Sequence, residues 1–406
     1  MNIKLRLITM NFLQYAVWGA WLISLGGYLG GKLDFTGLQI GSFFATMGIA
    51  SLFMPGLMGI IADRWIPAQK LLGICHLISA AFIIAARMQT EYAALYPLFL
   101  LGVMFYMPTI SLSNSVSYNA LDKAKLDSVA VFPKIRVWGT VGFICSMIAV
   151  DLLKFDESSV QLYFSGILGI ILGLYAFTLP ASPVKNNTQS QSWVDKLGLR
   201  AFALFQEKKM AIFFIFSMSL GMMLQITNAY GNDYLTNYFG SMPQYQHTFG
   251  VEHANILISL SQISEALCIL LISFFLKRYG IKNVMLISMF AWVFRFVLLG
   301  AGNPGPGVWM LILSMIVYGV AFDFFNISGS LFVDQSTDPA IRSSAQGVFM
   351  MMTNGFGAFI GSYAAGLVVD GFGWPTSWFI FAGFALLMAI LFAILFKYKH
   401  VAGEVE

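Results

Sequence analysis

Charge is what this chain has least of. Of its 406 residues, 23 are Lys or Arg and 19 are Asp or Glu, 10% together, where a soluble domain carries roughly 25%. Such a deficit excludes a water-facing globule of this length. Cysteine is scarce as well: Cys75, Cys145 and Cys268 each lie inside an apolar run, and none belongs to a C-x-x-C pair. They offer neither a disulfide framework nor a zinc site, and read as core thiols. The four histidines, His76, His247, His253 and His400, are scattered over different loops or ends, and H-E-x-x-H, G-x-S-x-G and phosphate-cradling glycine loops are missing. The chain is therefore not expected to be an enzyme, nor to hold a metal or an organic cofactor. A net charge of +4 could suit nucleic acid, but the basic residues form no stripe, so no such partner is expected.

What fills the chain instead is apolar: 58% hydrophobic residues with a mean hydropathy of +0.76. Runs of about 18 to 25 apolar residues, each enough for one bilayer crossing, stand at 8–30, 38–62, 69–88, 94–119, 134–153 and 160–180. They resume at 210–236, 254–276, 283–301, 307–332, 342–369 and 375–396. The first is no cleavable signal, because Asn11, Gln14, Trp18 and Trp21 interrupt it and it continues too far. A lipid-facing backbone must satisfy its own hydrogen bonds, and these runs are twice the length of barrel strands. The expectation is an all-α integral membrane protein with 12 transmembrane helices, its native partner the lipid bilayer.

Nineteen of the 23 basic residues fall on the side that holds both ends of the chain and the even-to-odd loops; Lys32, Arg87, Lys154 and Arg295 do not. By the positive-inside rule that side is cytoplasmic, and the +4 is a topology signal. The one long polar interruption falls near mid-chain. It divides the sequence into a first six-helix bundle (1–181), a cytoplasmic linker (182–209) and a second six-helix bundle (210–406). Trp193 to Phe205, mixing Trp, Leu and Phe with Lys and Arg, is either a short surface helix or part of a plain linker.

Each half closes its second span on a similar basic turn, Gly59-Ile60-Ile61-Ala62-Asp63-Arg64 and then Phe275-Leu276-Lys277-Arg278-Tyr279-Gly280. Two parallel six-helix repeats are the architecture of major facilitator transporters, and G-x-x-A-D-R between spans two and three resembles that superfamily's signature loop. Gly59, Asp63 and Arg64 are thus candidates for a cytoplasmic gate: Asp63 can accept hydrogen bonds at a helix end while Arg64, with Lys70, holds the rim. The expected fold is the major facilitator fold, in two pseudo-symmetric bundles. With no nucleotide motif, transport would run on an ion gradient or downhill.

In so apolar a chain, ionisable groups at bilayer depth are costly and normally face a cavity or the bundle interior. Glu265 lies midway along span eight and Asp323 in span ten; Arg136 lies near the start of span five and Arg295 in span nine. Asp151 and Asp370 sit near span ends and are expected to reach water. Gln262 and Glu265 are three apart, on one helix face, and Gln225 and Asn228 repeat the device on span seven. Such groups can be interhelical glue, but two pairs on consecutive helices together with Asp323 point to a lined cavity. Arg136, Thr140 and Phe143 form one stripe of span five, where Arg136 is open to two readings, site residue or rim cation. Tyr318, Phe322 and Asn326 form a ladder on span ten, open to packing or to ligand stacking. Arg295 reads as a snorkelling side chain or one half of an ion pair.

Longer stretches sharpen these alternatives. Asn11-Phe12-Leu13-Gln14-Tyr15, Arg136-Val137-Trp138-Gly139-Thr140, Gln225-Ile226-Thr227-Asn228, Ser261-Gln262-Ile263-Ser264-Glu265 and Ala321-Phe322-Asp323-Phe324-Phe325-Asn326 resemble the bacterial nucleoside:proton symporters over nearly the whole chain. The resemblance implies a proton-coupled nucleoside importer working by alternating access, with its site between the halves. It implies no cofactor beyond the co-transported proton. The substrate-site motifs fall on Arg136, Thr140, Phe143, Gln225, Asn228, Gln262, Glu265, Tyr318, Phe322 and Asp323, with Asp323 and then Glu265 as proton carriers. Uridine or adenosine are the kind of substrate implied, a monomer is expected, and the location is the bacterial cytoplasmic (inner) membrane with both termini cytoplasmic. A proton-coupled symporter for a sugar or polyol would share the fold and the carboxylates but has less use for the base-matching amides.

Overall fold

The structure, a computed structural model, describes residues 2–182, 199–337 and 342–398. Helix follows helix, and the described residues contain no strand. The first expected crossing is two helices, α1 (Ile3–Gly19) and α2 (Leu25–Leu33). Asn2 caps α1 by accepting from the Lys4 N–H at 3.1 Å, and Asp34, in the left-handed conformation, ends α2. Then come α3 (Gly37–Arg64), α4 (Ala68–Arg87), α5 (Tyr92–Lys123), α6 (Ser128–Leu152) and α7 (Val160–Ala176).

After a 3-10 helix, Leu199–Gln206, the second half begins with α8 (Lys208–Asp233), extended by a π-helical stretch, Tyr234–Tyr238. Only the start of the possible surface helix, at 193–198, falls outside the described residues. The 48-residue α9 (Ala254–Ala301) is far longer than one crossing needs. It bends at Gly280, whose φ of 73° and ψ of 165° only glycine adopts readily. Two expected spans are therefore joined by a kink rather than by a loop. The remainder is α10 (Val308–Ser336), α11 (Arg342–Met350), a π-helical stretch (Met351–Gly357), α12 (Ala358–Phe372) and α13 (Thr376–Leu395). Helices α11 and α12 with the π stretch make one crossing, so all twelve apolar runs are helical. Among the described residues, nine helices are by length and composition apolar enough to span on their own. Leu386, Leu387, Ile390 and Ile394 stand exposed along α13, an apolar face suited to lipid rather than water.

The chain divides into two compact units, Met1–Phe35 with Thr46–Leu197, and Thr36–Ala45 with Gly198–Glu406. The sequence division at residue 181 assigns all of α3 to the first half, whereas its opening turns group with the second. The reason is a cap. The two Asp370 carboxylate oxygens accept from the Gly37 and Leu38 N–H groups at 2.6 and 2.8 Å, and the Tyr230 hydroxyl donates to the Gly37 carbonyl at 2.7 Å. Free N–H groups at a helix start favour an anion there.

In the first unit α1 packs on α6 and α7, and α4 on α5 and α7. Lipid gives no hydrophobic drive to such contacts, so close approach of backbones matters. A Cβ at Gly19 would lie 2.9 Å from the Phe143 Cα, and one at Gly142 would be as close to Phe12; α1 and α6 touch there because both positions lack a side chain. In the second unit α9 packs on α10 and α13, and α8 on α12 and the π stretch.

Candidate functional site

The first unit brings two of its three expected site residues into one aromatic cluster. Gly139 clears the space in which Arg136 folds back, since a Cβ there would sit 2.5 Å from the Tyr15 ring and 2.8 Å from Arg136 Nη1. The guanidinium lies 3.8 Å from the centre of the Tyr15 ring, a cation–π contact. Arg136 is half-buried, with its guanidinium resting on this aromatic face. Phe143, one of the residues at the α1–α6 contact, meets Trp18 edge to face at 6.3 Å. Tyr15 and Trp18 are themselves 6.3 Å apart, so the pair links Arg136 to Phe143. Thr140 is half-buried on α6 between them.

Behind this cluster runs a hydrogen-bonded relay that sequence reasoning missed. His76 is fully buried in α4, not on a loop or a helix end. Its Nε2 lies 2.8 Å from Gln14 Oε1, which fixes Nε2 as the donor. Gln14 Nε2 donates to Thr109 Oγ1 at 2.7 Å, Thr109 to the Tyr106 carbonyl at 2.5 Å, and the Tyr106 hydroxyl to the Gln14 carbonyl at 2.8 Å. Tyr106 then packs on Trp18 at 6.0 Å. Depth was the available signal: both Gln14 and His76 lie well inside apolar runs, where a polar group needs a partner.

The second unit gathers five expected residues on α9 and α10. Gly319 makes this possible, since a Cβ there would meet Ser264 side-chain and backbone atoms at 2.5 to 2.7 Å. The Ser264 hydroxyl donates to the Ile316 carbonyl and accepts from the Gly319 N–H. With the helices so close, the Gln262 side chain lies near the Tyr318 hydroxyl, and Glu265 and Asp323 lie within electrostatic range of it. The two carboxyls also feel each other. Tyr318 stacks on Phe322 at 6.1 Å and 13°, which gives the span-ten ladder a flat aromatic surface. Asp323 is 2% exposed, and its Oδ2 has no hydrogen-bond partner. On α8, Gln225 is buried with its amide oxygen unbonded, and Asn228 is half-buried one turn on.

Three other expectations are corrected. Asp151 is completely buried rather than near water, while Asp370 is exposed. Cys75 and Cys268 are core thiols, but Cys145 is exposed on α6. Arg295 neither snorkels nor shows an ion pair: it is 3% exposed and donates to the Ser314 carbonyl. At the end of α3, Gly59 faces open space and Arg64 is half-buried; the Asp63 side chain lies outside the described residues. Among the described residues no cluster of His, Cys, Asp and Glu could hold a metal ion.

Comparison with known proteins agrees with this chemistry. Residues 1–401 match the family model described as Nucleoside H+ symporter. The chain is 50% identical to the nucleoside permease NupG of Escherichia coli (strain K12) over 408 residues, 99% of this chain and 97% of that one. It is also 50% identical to the xanthosine permease of Escherichia coli (strain K12) over 413 residues, 100% of this chain and 99% of that one. The crystal structure of the D323A mutant of the nucleoside transporter NupG superposes with a TM-score of 0.94 at 50% identity, covering 98% of this chain and 100% of that one. The relatives are permeases and not enzymes. The chain belongs to the nucleoside H+ symporter family, with the major facilitator fold, and is a multi-pass inner-membrane importer that moves nucleosides with protons by alternating access.

Proposed function

We propose that Arg136, Thr140, Phe143, Gln225, Asn228, Gln262, Glu265, Tyr318, Phe322 and Asp323 bind the nucleoside, and that Asp323 first and Glu265 second carry the proton. A nucleoside joins a flat base to a hydroxylated ribose and has no phosphate. Phe143 and the Tyr318–Phe322 stack offer base-sized aromatic faces, each such contact being worth about 1 to 3 kcal/mol. Gln225, Asn228 and Gln262 carry the paired donors and acceptors that suit base edges, and the carboxyls can accept from ribose hydroxyls. Uridine and adenosine both fit this description, and the relatives are named as permeases for nucleosides and for xanthosine. The observation that carries the proton assignment is Asp323: a buried carboxyl beside a second one, with an oxygen that no protein group satisfies. Such an oxygen gains most from a proton or a substrate hydroxyl.

The chain works as a monomer, since it contains every residue in this set. The end of α3, Gly59–Arg64, closes the cytoplasmic rim, and both termini face the cytoplasm, supported by the 19 of 23 basic residues on that side. The central test is uptake of labelled uridine and adenosine by a transport-deficient host, with and without a protonophore. Accumulation should collapse with the protonophore. Asp323→Asn should lower proton-driven accumulation by about 100-fold or more while nucleoside exchange persists, and Glu265→Gln should do so less severely. If both variants still accumulated nucleoside against a gradient, the proton assignment would be wrong. Accumulation of a sugar in place of nucleosides would overturn the substrate reading.

A further inference from the structure

Arg295 is the least explained charge in the second unit. Its guanidinium is 3% exposed. Nη1 donates to the Ser314 carbonyl at 2.5 Å, and Nη2 lies 3.9 Å from the Met315 sulfur. Nε has no hydrogen-bond partner. The guanidinium carbon is 4.8 Å from the centre of the Tyr318 ring and 6.0 Å from that of Trp292. The Ser314 hydroxyl returns a bond to the Arg295 carbonyl at 3.2 Å.

Ser314, Met315 and Tyr318 share one face of α10, so apart from its own neighbour Trp292 the guanidinium's contacts lie on the stretch of helix that carries Tyr318. Packing does not account for the cation. An apolar side chain of similar length fills such a space without the desolvation that a guanidinium suffers there, and mutual burial of charge rarely stabilises a fold. What an arginine adds over a methionine at this place is attraction to an aromatic face and a donor for the helix carbonyl beside it.

We propose that Arg295 is a positioning residue for nucleoside binding, holding the Tyr318 ring so that its plane lies along Phe322, with its hydroxyl towards Gln262. The inference rests on the assignment of Tyr318 to the nucleoside site made above. Tyr318 is fastened from three directions. Arg295 lies over the ring, Trp292 meets it edge-on at 6.1 Å and 87°, and Gln262 stands near its hydroxyl. Trp292 supplies only a weak edge contact, and Gln262 stands only at the tip. Removal of the cation takes away the contact over the ring face, so the plane can tilt and spoil the flat surface it forms with Phe322. Arg295 itself touches no substrate in this scheme; it acts through Tyr318.

The test is nucleoside binding to the purified full-length protein in detergent, read as Kd, with thermal stability measured alongside. Arg295→Gln keeps a donor for the Ser314 carbonyl but removes the cation, and should weaken uridine binding about tenfold. Arg295→Lys keeps the cation and should restore binding to within about threefold of the parent. Tyr318→Leu alone should weaken binding, and adding Arg295→Gln to it should cost nothing further, because the residue through which Arg295 acts is gone. An Arg295→Gln protein with unchanged Kd and a lowered Tm would reduce Arg295 to a structural residue and overturn the inference, as would multiplicative effects in the double variant. Unchanged binding in Tyr318→Leu would instead overturn the assignment of Tyr318 to the site, and this inference with it. Should Arg295→Gln fail to fold, Arg295→Met set against Arg295→Lys makes the same comparison of cation with neutral side chain.

Discussion

The two units bury polarity near their candidate residues in opposite ways. The first holds a neutral relay across three helices, Gln14 on α1, His76 on α4, and Tyr106 and Thr109 on α5, bonded to one another at 2.5 to 2.8 Å. The unbonded atoms around this relay are neutral, the Trp18 indole nitrogen and His76 Nδ1 among them. The second unit buries charge: Asp323, within electrostatic range of the half-buried Glu265, and Arg295 against the Tyr318 ring with a nitrogen unbonded. A closed neutral relay fixes shape at little risk, because every change in it leaves a donor or acceptor stranded. A pair of carboxyls can change its proton count without being rebuilt. On the proposed assignment, shape therefore belongs to the first unit and coupling to the second.

That division can be broken most directly at Gln14. Gln14→Leu removes both bonds of the side chain and strands the fully buried His76. An unmet buried donor costs about 1 to 3 kcal/mol, so the Tm in detergent should fall by about 5 °C and the uptake KM should rise as Tyr106 and Trp18 loosen. The ratio of internal to external nucleoside at steady state, measured under a fixed proton gradient, should stay at the parental value. Loss of that ratio with exchange intact would mean that the relay conducts protons, and the division would be wrong.

The same contrast sets what could be read in the sequence. Crossing helices are legible because length and hydropathy suffice: 69–88 became Ala68–Arg87, and 38–62 became Gly37–Arg64. The break at 20–24 was not, since Ala20-Trp21-Leu22-Ile23 is as apolar as the helices around it. Nor was the helical continuity through Lys277–Lys282, where polar residues suggest a loop but one glycine kink suffices. In the second unit Gln262 and Glu265 announce themselves by spacing on a single helix. In the first, the relay joins helices far apart in sequence, and no local pattern pairs Gln14 with His76. Arg295 was misplaced for a similar reason: distance from a span end says how deep a residue sits, not which neighbour it faces.

A smaller test concerns charge at the edges of the membrane-spanning helices, where both units tolerate it. Asp370 in the second unit is exposed and caps α3 with both oxygens. Asp370→Ala removes the acceptor from two N–H groups and should cost about 0.5 to 2 kcal/mol, lowering Tm by about 2 to 4 °C. Asp370→Asn, able to accept one bond, should lose less. Equal losses would assign the effect to the negative charge at the helix start rather than to the hydrogen bonds.

The first unit does bury carboxyls, but away from Arg136, at the end of α6 and in the turn after it. Burial, with Asp151 nearby, pushes the Asp156 carboxyl up to about 6, and its Oδ1 has no hydrogen-bond partner. In an unfolded chain an aspartate titrates near 4. Between those values the folded protein holds the proton more tightly than the unfolded one, so stability falls as pH rises through about 4 to 6 and stays reduced above. Asp156→Asn removes the ionisation and leaves the Gln161 bond to the Asp156 backbone carbonyl in place. It should raise Tm by about 2 °C at pH 8 and leave it unchanged at pH 4, with transport unaffected, because this carboxyl lies outside the site. A gain of the same size at both pH values would trace the effect to packing instead of charge. A loss of proton-driven accumulation would place a proton step in the first unit, where the comparison allows none.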